Sequence, residues 1–303
     1  MKLPKLNFAP LGKDCVRILA QWSNKNQQDL GLVCSVNQVN EEIGYTGFTS
    51  HSLVAFVTEV KVALNSPQNF VVCRDHLGKT EDDERVLEIL HGDVDAGFEI
   101  THLHCEDLEL IAKCFESASG MNFELGTGEA EAKQYASQKI LMKDLMSYGY
   151  DPDRIAYLTF PTGCLIDEVY NKNNVNQQLC TTMRRFGFDL KGHNSDYATD
   201  ATLEILSNYL QAINIAPQIG VLMTRTYVDV ARVIGYNLKD WENEVYDGGE
   251  WKRWGSERYA LELGGHYHFT SLPEDFTSRA YSAVKETLFF ALDYFNEYFR
   301  PKG

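Results

Sequence analysis

Short apolar segments alternate with longer amphipathic segments along most of this chain. Segments such as LGLVCSV (30–36) and NFVVC (69–73) are continuously apolar, which is typical of parallel strands buried on both faces of a sheet. The amphipathic segments carry apolar residues at helical spacing; one begins at the N-cap residue Thr49, and another ends at Gly97. Repeated strand–helix units of this kind predict an α/β fold with a parallel sheet.

Eight strand–helix units are predicted before residue 237. This number favours a closed (β/α)8 TIM barrel over an open, doubly wound sheet, and no GxGxxG motif of the dinucleotide-binding open sheet follows an early strand. Residues 1–303 are predicted to form a single barrel domain, with residues 237–303 as a C-terminal helical extension packed on the barrel. The predicted strands are 7–12, 30–36, 69–73, 98–104, 122–126, 154–160, 186–192 and 212–217, and the predicted helices are 15–26, 49–64, 82–97, 107–118, 129–149, a helix within 174–185, 198–210 and about 221–236.

The composition is that of a folded and strongly acidic protein. Hydrophobic residues make up 44% of the 303, enough for a sizeable core, and the formal net charge is −15. A field of that sign repels nucleic acid and anionic membranes, so neither is an expected partner. No apolar run approaches the length of a membrane span, and the first residues show no secretion signal. Seven cysteines without a CxxC pair predict reduced thiols in a cytoplasmic protein.

Polar side chains follow several of the predicted strands, at the end of a barrel where active sites lie. Four of the eight histidines lie at these strand ends, which indicates a metal or acid–base site. Each residue also has a purely structural interpretation, such as a helix cap for Asp75 or a buried core residue for one of the histidines. These structural interpretations are independent of one another, so the clustering of many polar residues at the strand ends favours a functional site. The strand-end residues are Asn37, Gln38, Asn40, Asp75, His76, His102, His104, Glu106, Glu124, Thr127, Glu129, Thr162, His193, Asn194, Ser195, Asp196 and Asn214.

Four motifs occur in order along the chain: SVNQVNEEIGYTGFT (35–49), VVCRDHLG (71–78), DAGFEITHLH (95–104) and GHNSDYATDATLEIL (192–206). Together they resemble the D-tagatose-1,6-bisphosphate aldolase subunit family of GatZ/KbaZ type, and the NQVN–GYTG segment is the most specific of them. The resemblance runs through about residues 30–300. That family is related to class II aldolases, which are metal-dependent barrels, so the resemblance implies the same fold and a metal site.

The resemblance also implies roles for individual residues. Asp75 matches the proton-transfer carboxylate of class II aldolases, His76 and His193 match zinc ligands, and Asn214 matches a substrate contact. The class II histidine on the sixth strand is missing, so a third ligand comes from Glu124, His102 or His104. The predicted metal ligands are His76, His193, Glu124 and His104, the predicted catalytic residues are Asp75 and Glu129, and the predicted substrate-binding residues are Asn37, Gln38, Asn40, Thr127, Ser195, Asp196 and Asn214. Zinc is the expected metal, with manganese as the alternative.

The expected activity is metal-dependent aldol chemistry between carbons 3 and 4 of a ketose or ketose phosphate, either cleavage or carbon-4 epimerisation. The phosphate-binding segments of the family are poorly kept, which favours a ketose or ketoacid with one phosphate or none. Arg74 and Arg225 are left as candidate anion contacts. The alternative is a non-catalytic, chaperone-like subunit of a class II tagatose-bisphosphate aldolase, and a barrel like that of xylose isomerase is a weaker third hypothesis. The expected partners are a small sugar or sugar phosphate, and either a second copy of the chain or a class II aldolase subunit.

Overall fold

Eight parallel strands close into a barrel in which each strand pairs with the next and the eighth pairs with the first. The predicted (β/α)8 TIM barrel is therefore confirmed. The computed structural model describes residues 3–44, 46–105, 107–126, 151–160, 180–181, 184–185, 187–193, 195, 198–235, 246–247, 250–251 and 274–299. The strands are β1 (Leu6–Phe8), β2 (Leu30–Ser35), β3 (Phe70–Leu77), β4 (Ile100–Leu103), β5 (Asn122–Leu125), β6 (Ile155–Phe160), β7 (Leu190–Gly192) and β8 (Ala212–Ile215).

Helices lie between the strands and after the last one. They are α1 (Gly12–Asn26), α2 (Ser50–Ala63), α3 (Asp83–Ala96), α4 (Leu108–Ser117), α5 (Asp200–Tyr209), α6 (Pro217–Ile234) and α7 (Glu274–Phe299), with a 3₁₀ turn at Pro152–Arg154 and a short antiparallel pair formed by β9 (Tyr246–Asp247) and β10 (Glu250–Trp251). The helix predicted at 129–149 lies outside the described residues. Of the helix predicted within 174–185, residues 180–181 and 184–185 are described, and they are helical. Among the described helices, none combines the length and apolarity that a membrane crossing needs.

The helix boundaries follow from local chemistry. The hydroxyl of Thr49 accepts the backbone N–H of Ser52, and the Ser52 hydroxyl in turn accepts the Thr49 backbone N–H, which is a capping box at the start of α2. Asp82 caps α3 through the backbone N–H of Arg85. Gly97 ends α3 with φ 93°, a left-handed conformation that glycine adopts without steric cost. Caps of this kind contribute about 1 kcal/mol each to the stability of a helix.

The strands are buried on both faces, which accounts for apolar runs such as those of β2 and the first half of β3. A small apolar group lies inside the barrel, and a much larger one lies between the barrel and its helices. The inner group consists of Ala9, Val33, Val71, Cys73, Ile100, Ala156, Tyr157 and Ala212. Helix α7 adds to the outer layer by packing against α6 and α1, where Trp22 Nε1 donates to Asp293 Oδ1 at 2.7 Å. The division of the chain into a barrel domain and an extension from residue 237 stays a prediction.

Strand β3 is longer than the predicted strand 69–73, because it continues through Arg74, Asp75 and His76 to Leu77. Arg74 is 1% exposed and points to the helix layer, where its guanidinium forms an ion pair with Asp93 at 2.6 Å. Its other donors bind the Ser50 hydroxyl and three backbone carbonyls of residues 34–39. The interpretation of Arg74 as an anion contact is therefore wrong, since the guanidinium is fully used inside the protein. Arg225, the other candidate, is exposed on α6.

Candidate metal centre

Asp75 and His76 lie side by side at the carboxyl end of β3, although neighbouring residues of a regular strand point to opposite faces. The pairing of β3 with β4 shifts register between Arg74 and Leu77, and His76 has a φ of 56°. This irregularity turns the His76 ring to the same side as the Asp75 carboxylate, with His76 Nδ1 3.1 Å from Asp75 Oδ2. Strand β3 thus presents both groups to the barrel mouth.

Two histidines from other strands complete a group around the Asp75 carboxylate. His102 Nδ1, on the adjacent β4, lies 3.0 Å from Asp75 Oδ1. His193 directly follows β7 on the far side of the barrel, and its Nε2 lies 3.7 Å from Asp75 Oδ2. One ligand atom from each of Asp75, His76, His102 and His193 lies within 4.8 Å of the other three, so these residues could hold one metal ion. The predicted ligands His76 and His193 therefore come together with the predicted catalytic Asp75.

Charges within this group set its protonation. Burial raises the pKa of Asp75, but the charge of His76 and hydrogen bonds with His102 and His193 lower it well below its usual value. Burial lowers the pKa of His193 to about 4, and the neighbouring His76 adds to the effect. Burial also lowers the pKa of His102, but Glu124 and Asp75 raise it above its ordinary value. At neutral pH the site therefore combines an ionised carboxylate with a neutral His193 imidazole, which are the forms that bind a cation.

Glu124 was expected to ligate the metal, but both of its carboxylate oxygens have partners below the cluster. Lys191 Nζ donates to Oε2 at 2.6 Å, and the Thr159 hydroxyl donates to Oε1 at 2.8 Å. Burial raises the pKa of Glu124, but Lys191 lowers it below its ordinary value. The sequence pattern did not single out Lys191, because it lies inside β7 and not at the carboxyl end of the strand. The one available signal was a lysine two residues before a strand-end histidine, the spacing that places both on one face of a strand.

His104 was also expected to ligate, and it lies at the edge of the cluster. Its ring centroid is 5.1 Å from that of His76, and its Nδ1 has no hydrogen-bond partner among the described residues. Burial, with the neighbouring His102 and His76, lowers the pKa of His104 to about 2, so the ring is neutral at physiological pH. It stands outside the four-residue group, which includes His102 in its place.

The predicted substrate-binding residues divide into three groups. Asn214 is 1% exposed, pairs in register with Asn7, and has no partner for either amide atom among the described residues. The Ser195 hydroxyl is likewise buried without a partner there. Gln38 and Asn40 bind backbone groups of their own loop, through the N–H of Ser35 and the carbonyl of Val36 respectively, while Asn37 is exposed. Thr127 and Asp196 lie outside the described residues, as does the predicted catalytic residue Glu129.

Comparisons with known proteins find the same architecture at low sequence identity. No protein-family model matches the chain, and no curated protein matches it by sequence. A probable tagatose 6 phosphate kinase from Sinorhizobium meliloti 1021 is 15% identical, with a TM-score of 0.68 over 98% of this chain and 99% of that one. Fructose-bisphosphate aldolase from Campylobacter jejuni is 11% identical, with a TM-score of 0.62 over 97% and 89%. Fructuronate-tagaturonate epimerase from Cohnella laeviribosi is 10% identical, with a TM-score of 0.61 over 97% and 82%. At these identities the likeness shows that the chain shares the barrel fold of these proteins.

Proposed function

We propose that this protein is a divalent-metal-dependent carbohydrate enzyme that performs aldol chemistry on a ketose or ketose phosphate. The observation that carries the proposal is the convergence of Asp75, His76, His102 and His193 at the carboxyl end of the barrel, within ligand distance of one another. The resemblance to the tagatose-bisphosphate aldolase subunit family supports the substrate class. The shared fold with an aldolase and a sugar-acid epimerase agrees with it.

The residues of the cluster fit a zinc or manganese ion. Imidazole nitrogens and a carboxylate oxygen are ligands that both metals accept, and zinc prefers sites rich in nitrogen. His76 and His193 would hold the ion beside the Asp75 carboxylate. A bound divalent cation supplies Lewis-acid stabilisation of the negative charge that develops on a ketose when its carbon–carbon bond breaks.

Asp75 is the proposed proton-transfer group. Its carboxylate is kept ionised by the surrounding histidines, so it can accept the proton of the hydroxyl on carbon 4. As that proton moves, the bond between carbons 3 and 4 breaks and carbon 4 becomes an aldehyde. The electron pair of the broken bond stays on the fragment that contains carbon 3 and the former ketone, as an enediolate. Glu129 is the proposed second proton-transfer group, which protonates that fragment. If the aldehyde instead turns over and the bond re-forms, the configuration at carbon 4 is inverted, so one site serves cleavage and epimerisation.

Metal binding and product analysis test this function together. Isothermal titration of the purified protein with zinc and with manganese should show one tight site, lost in His76→Ala and His193→Ala. His51, which is exposed on α2, provides the matched control, and His51→Ala should bind metal as the wild type does. The metal-loaded protein is then mixed with a panel of ketoses and ketose phosphates, and proton NMR follows the products.

A triose among the products indicates a lyase, and a new hexose without triose indicates an epimerase. A wild-type protein that binds neither metal, or a metal-loaded protein that converts no ketose while it stabilises a class II aldolase subunit, would contradict the proposal. The second result would support the non-catalytic subunit instead.

A further inference from the structure

We propose that Lys191, Glu124 and Thr159 are positioning residues that keep a proton on Nε2 of His102. This inference deepens the proposed function and rests on it, because His102 contacts Asp75 in the proposed metal centre. The three residues come from β7, β5 and β6 and meet inside the barrel, next to His102 on β4. Each of the four side chains is at most 1% exposed, so water does not compete for these hydrogen bonds.

The chain of contacts runs without a break from Lys191 to Asp75. Lys191 Nζ lies 2.6 Å from Glu124 Oε2, and Thr159 Oγ1 lies 2.8 Å from Glu124 Oε1. Thr159 Oγ1 lies 3.2 Å from His102 Nε2, and His102 Nδ1 lies 3.0 Å from Asp75 Oδ1. All four distances are within the range of hydrogen bonds.

The direction of each hydrogen bond follows from the chemistry of the donors. The Lys191 ammonium group can only donate, and the carboxylate it neutralises can only accept. Thr159 must therefore donate its single hydroxyl proton to Glu124. Towards the His102 ring, the Thr159 oxygen can then only accept a hydrogen bond. A contact between that oxygen and His102 Nε2 then requires a proton on Nε2.

A second acceptor demands the same arrangement. The carbonyl oxygen of Gly126, at the end of β5, lies 2.6 Å from His102 Nε2. A carbonyl can only accept, so it also requires a proton on Nε2. His102 Nδ1 is then the ring nitrogen that faces the cluster, where it donates to the ionised Asp75 carboxylate in the metal-free protein and would have to lose that proton to bind a cation. Hydrogen bonds behind a ligating histidine commonly set its tautomer and ring orientation in this way.

The charge of Lys191 keeps the buried Glu124 carboxylate ionised, and an ionised Glu124 fixes the direction of the Thr159 hydrogen bond. A buried carboxylate without a counter-charge is strongly destabilised. Without Lys191 the Glu124 carboxylate would lose its charge partner, and the direction of the Thr159 hydrogen bond would no longer be determined. The ion pair therefore acts on Asp75 through two intervening side chains rather than by contact.

Nitrogen–proton NMR of the histidine rings tests the inference in the metal-free protein. Long-range correlation spectra of ¹⁵N-histidine-labelled protein at neutral pH should show a protonated Nε2 on His102, whose signals are assigned by their loss in His102→Gln. A His102 ring with a bare Nε2 would overturn the inference. This measurement needs no metal, so it decides the inference even if the wild type binds none and the proposed function fails.

Zinc titration of variants gives a second measurement. Thr159→Val keeps the shape of the side chain and removes the hydroxyl, and Lys191→Met removes the charge. Both should weaken zinc binding by about tenfold to a hundredfold, the usual effect of losing a group that orients a ligand. Tyr157→Phe is the matched control, because the Tyr157 hydroxyl is buried in the same barrel interior but binds the Pro4 carbonyl instead. It should leave zinc affinity unchanged.

Thr159→Val decides the outcome if Lys191→Met does not fold, since it changes no charge. A folded Thr159→Val protein with wild-type zinc affinity and an unchanged His102 spectrum would refute the positioning role.

Discussion

His76 follows Asp75 directly in the chain, yet its Nδ1 lies 3.1 Å from Asp75 Oδ2, because His76 has a φ of 56° within an interruption of the β3–β4 ladder. A left-handed conformation costs a residue with a Cβ atom about 1–2 kcal/mol, which glycine avoids. The chain therefore retains a strained backbone at the position of a proposed metal ligand, and strain of this kind is common at functional sites.

This strain can be measured by comparing two variants that both remove the His76 ring. His76→Gly should be more stable than His76→Ala by about 1 kcal/mol, because only glycine adopts a φ near +56° without steric cost. Urea unfolding of the two metal-free proteins gives the difference directly. Both variants should lose zinc binding, because neither has the imidazole ring, so the stability difference reports the backbone conformation alone. An alanine variant as stable as the glycine variant would show that the conformation is unstrained.

The buried pair of Arg74 and Asp93 should be essential for stability. Arg74→Lys keeps the charge but loses the planar fork that binds Asp93 twice and reaches the carbonyls of residues 34–39. We expect the free energy of unfolding to fall by about 3 kcal/mol, because lysine leaves several buried carbonyl oxygens without a donor, each at a cost of about 1–3 kcal/mol. The control is Arg85→Lys, whose pairs with Glu88 and Glu41 are on the surface, and it should change stability by less than about 1 kcal/mol. Equal effects of the two substitutions would contradict the prediction.

Acid should destabilise the metal-free protein before its carboxylates are protonated. The pKa values of His104 and His193 are lowered from 6.5 to about 2 and about 4, so below pH 6.5 the unfolded chain binds protons that the folded protein excludes. Stability should therefore fall by up to about 2.7 kcal/mol per pH unit from pH 6.5 towards pH 4.5. The raised pKa of His102 acts above pH 6.5, where it lowers stability as pH rises.

Urea unfolding at several pH values between 7 and 4.5 tests this slope. Replacing His104 by Leu removes one of the two groups and should reduce the slope by about half. His51→Ala, on the exposed surface of α2, should leave the slope unchanged. A wild-type protein whose stability is independent of pH in this window would contradict the lowered pKa values.

Replacement of Asn214 by an apolar residue should raise the stability of the protein and lower its activity. Its buried amide has no partner among the described residues, and an unsatisfied buried polar group costs about 1–3 kcal/mol. Asn214→Leu is similar in size and should therefore be more stable than the wild type. If Asn214 binds substrate, the same variant should lose turnover of the ketose while it keeps zinc affinity. A variant that is less stable than the wild type would indicate that ordered water satisfies the amide.

Much of the fold could be predicted from the sequence because each strand carries its own signal. Burial on both faces makes a parallel strand continuously apolar, so LGLVCSV and NFVVC identify β2 and β3 without knowledge of their neighbours. The position of the site followed in the same way, since the carboxyl ends of parallel strands meet at one mouth of a barrel. Asp75, His76 and His193 could be named on that basis.

Only the tertiary structure decided how the polar groups pair inside the barrel. Glu124, expected beside the metal, is bound by Lys191 from β7, and His102 takes the place beside Asp75. These partners are brought together by the register of strands that are distant in sequence, and by the interruption at His76. The sequence by itself determined which residues face a barrel end, because strand periodicity is local. It could not determine which atoms meet there, because register and backbone irregularity depend on the packing of the closed sheet as a whole.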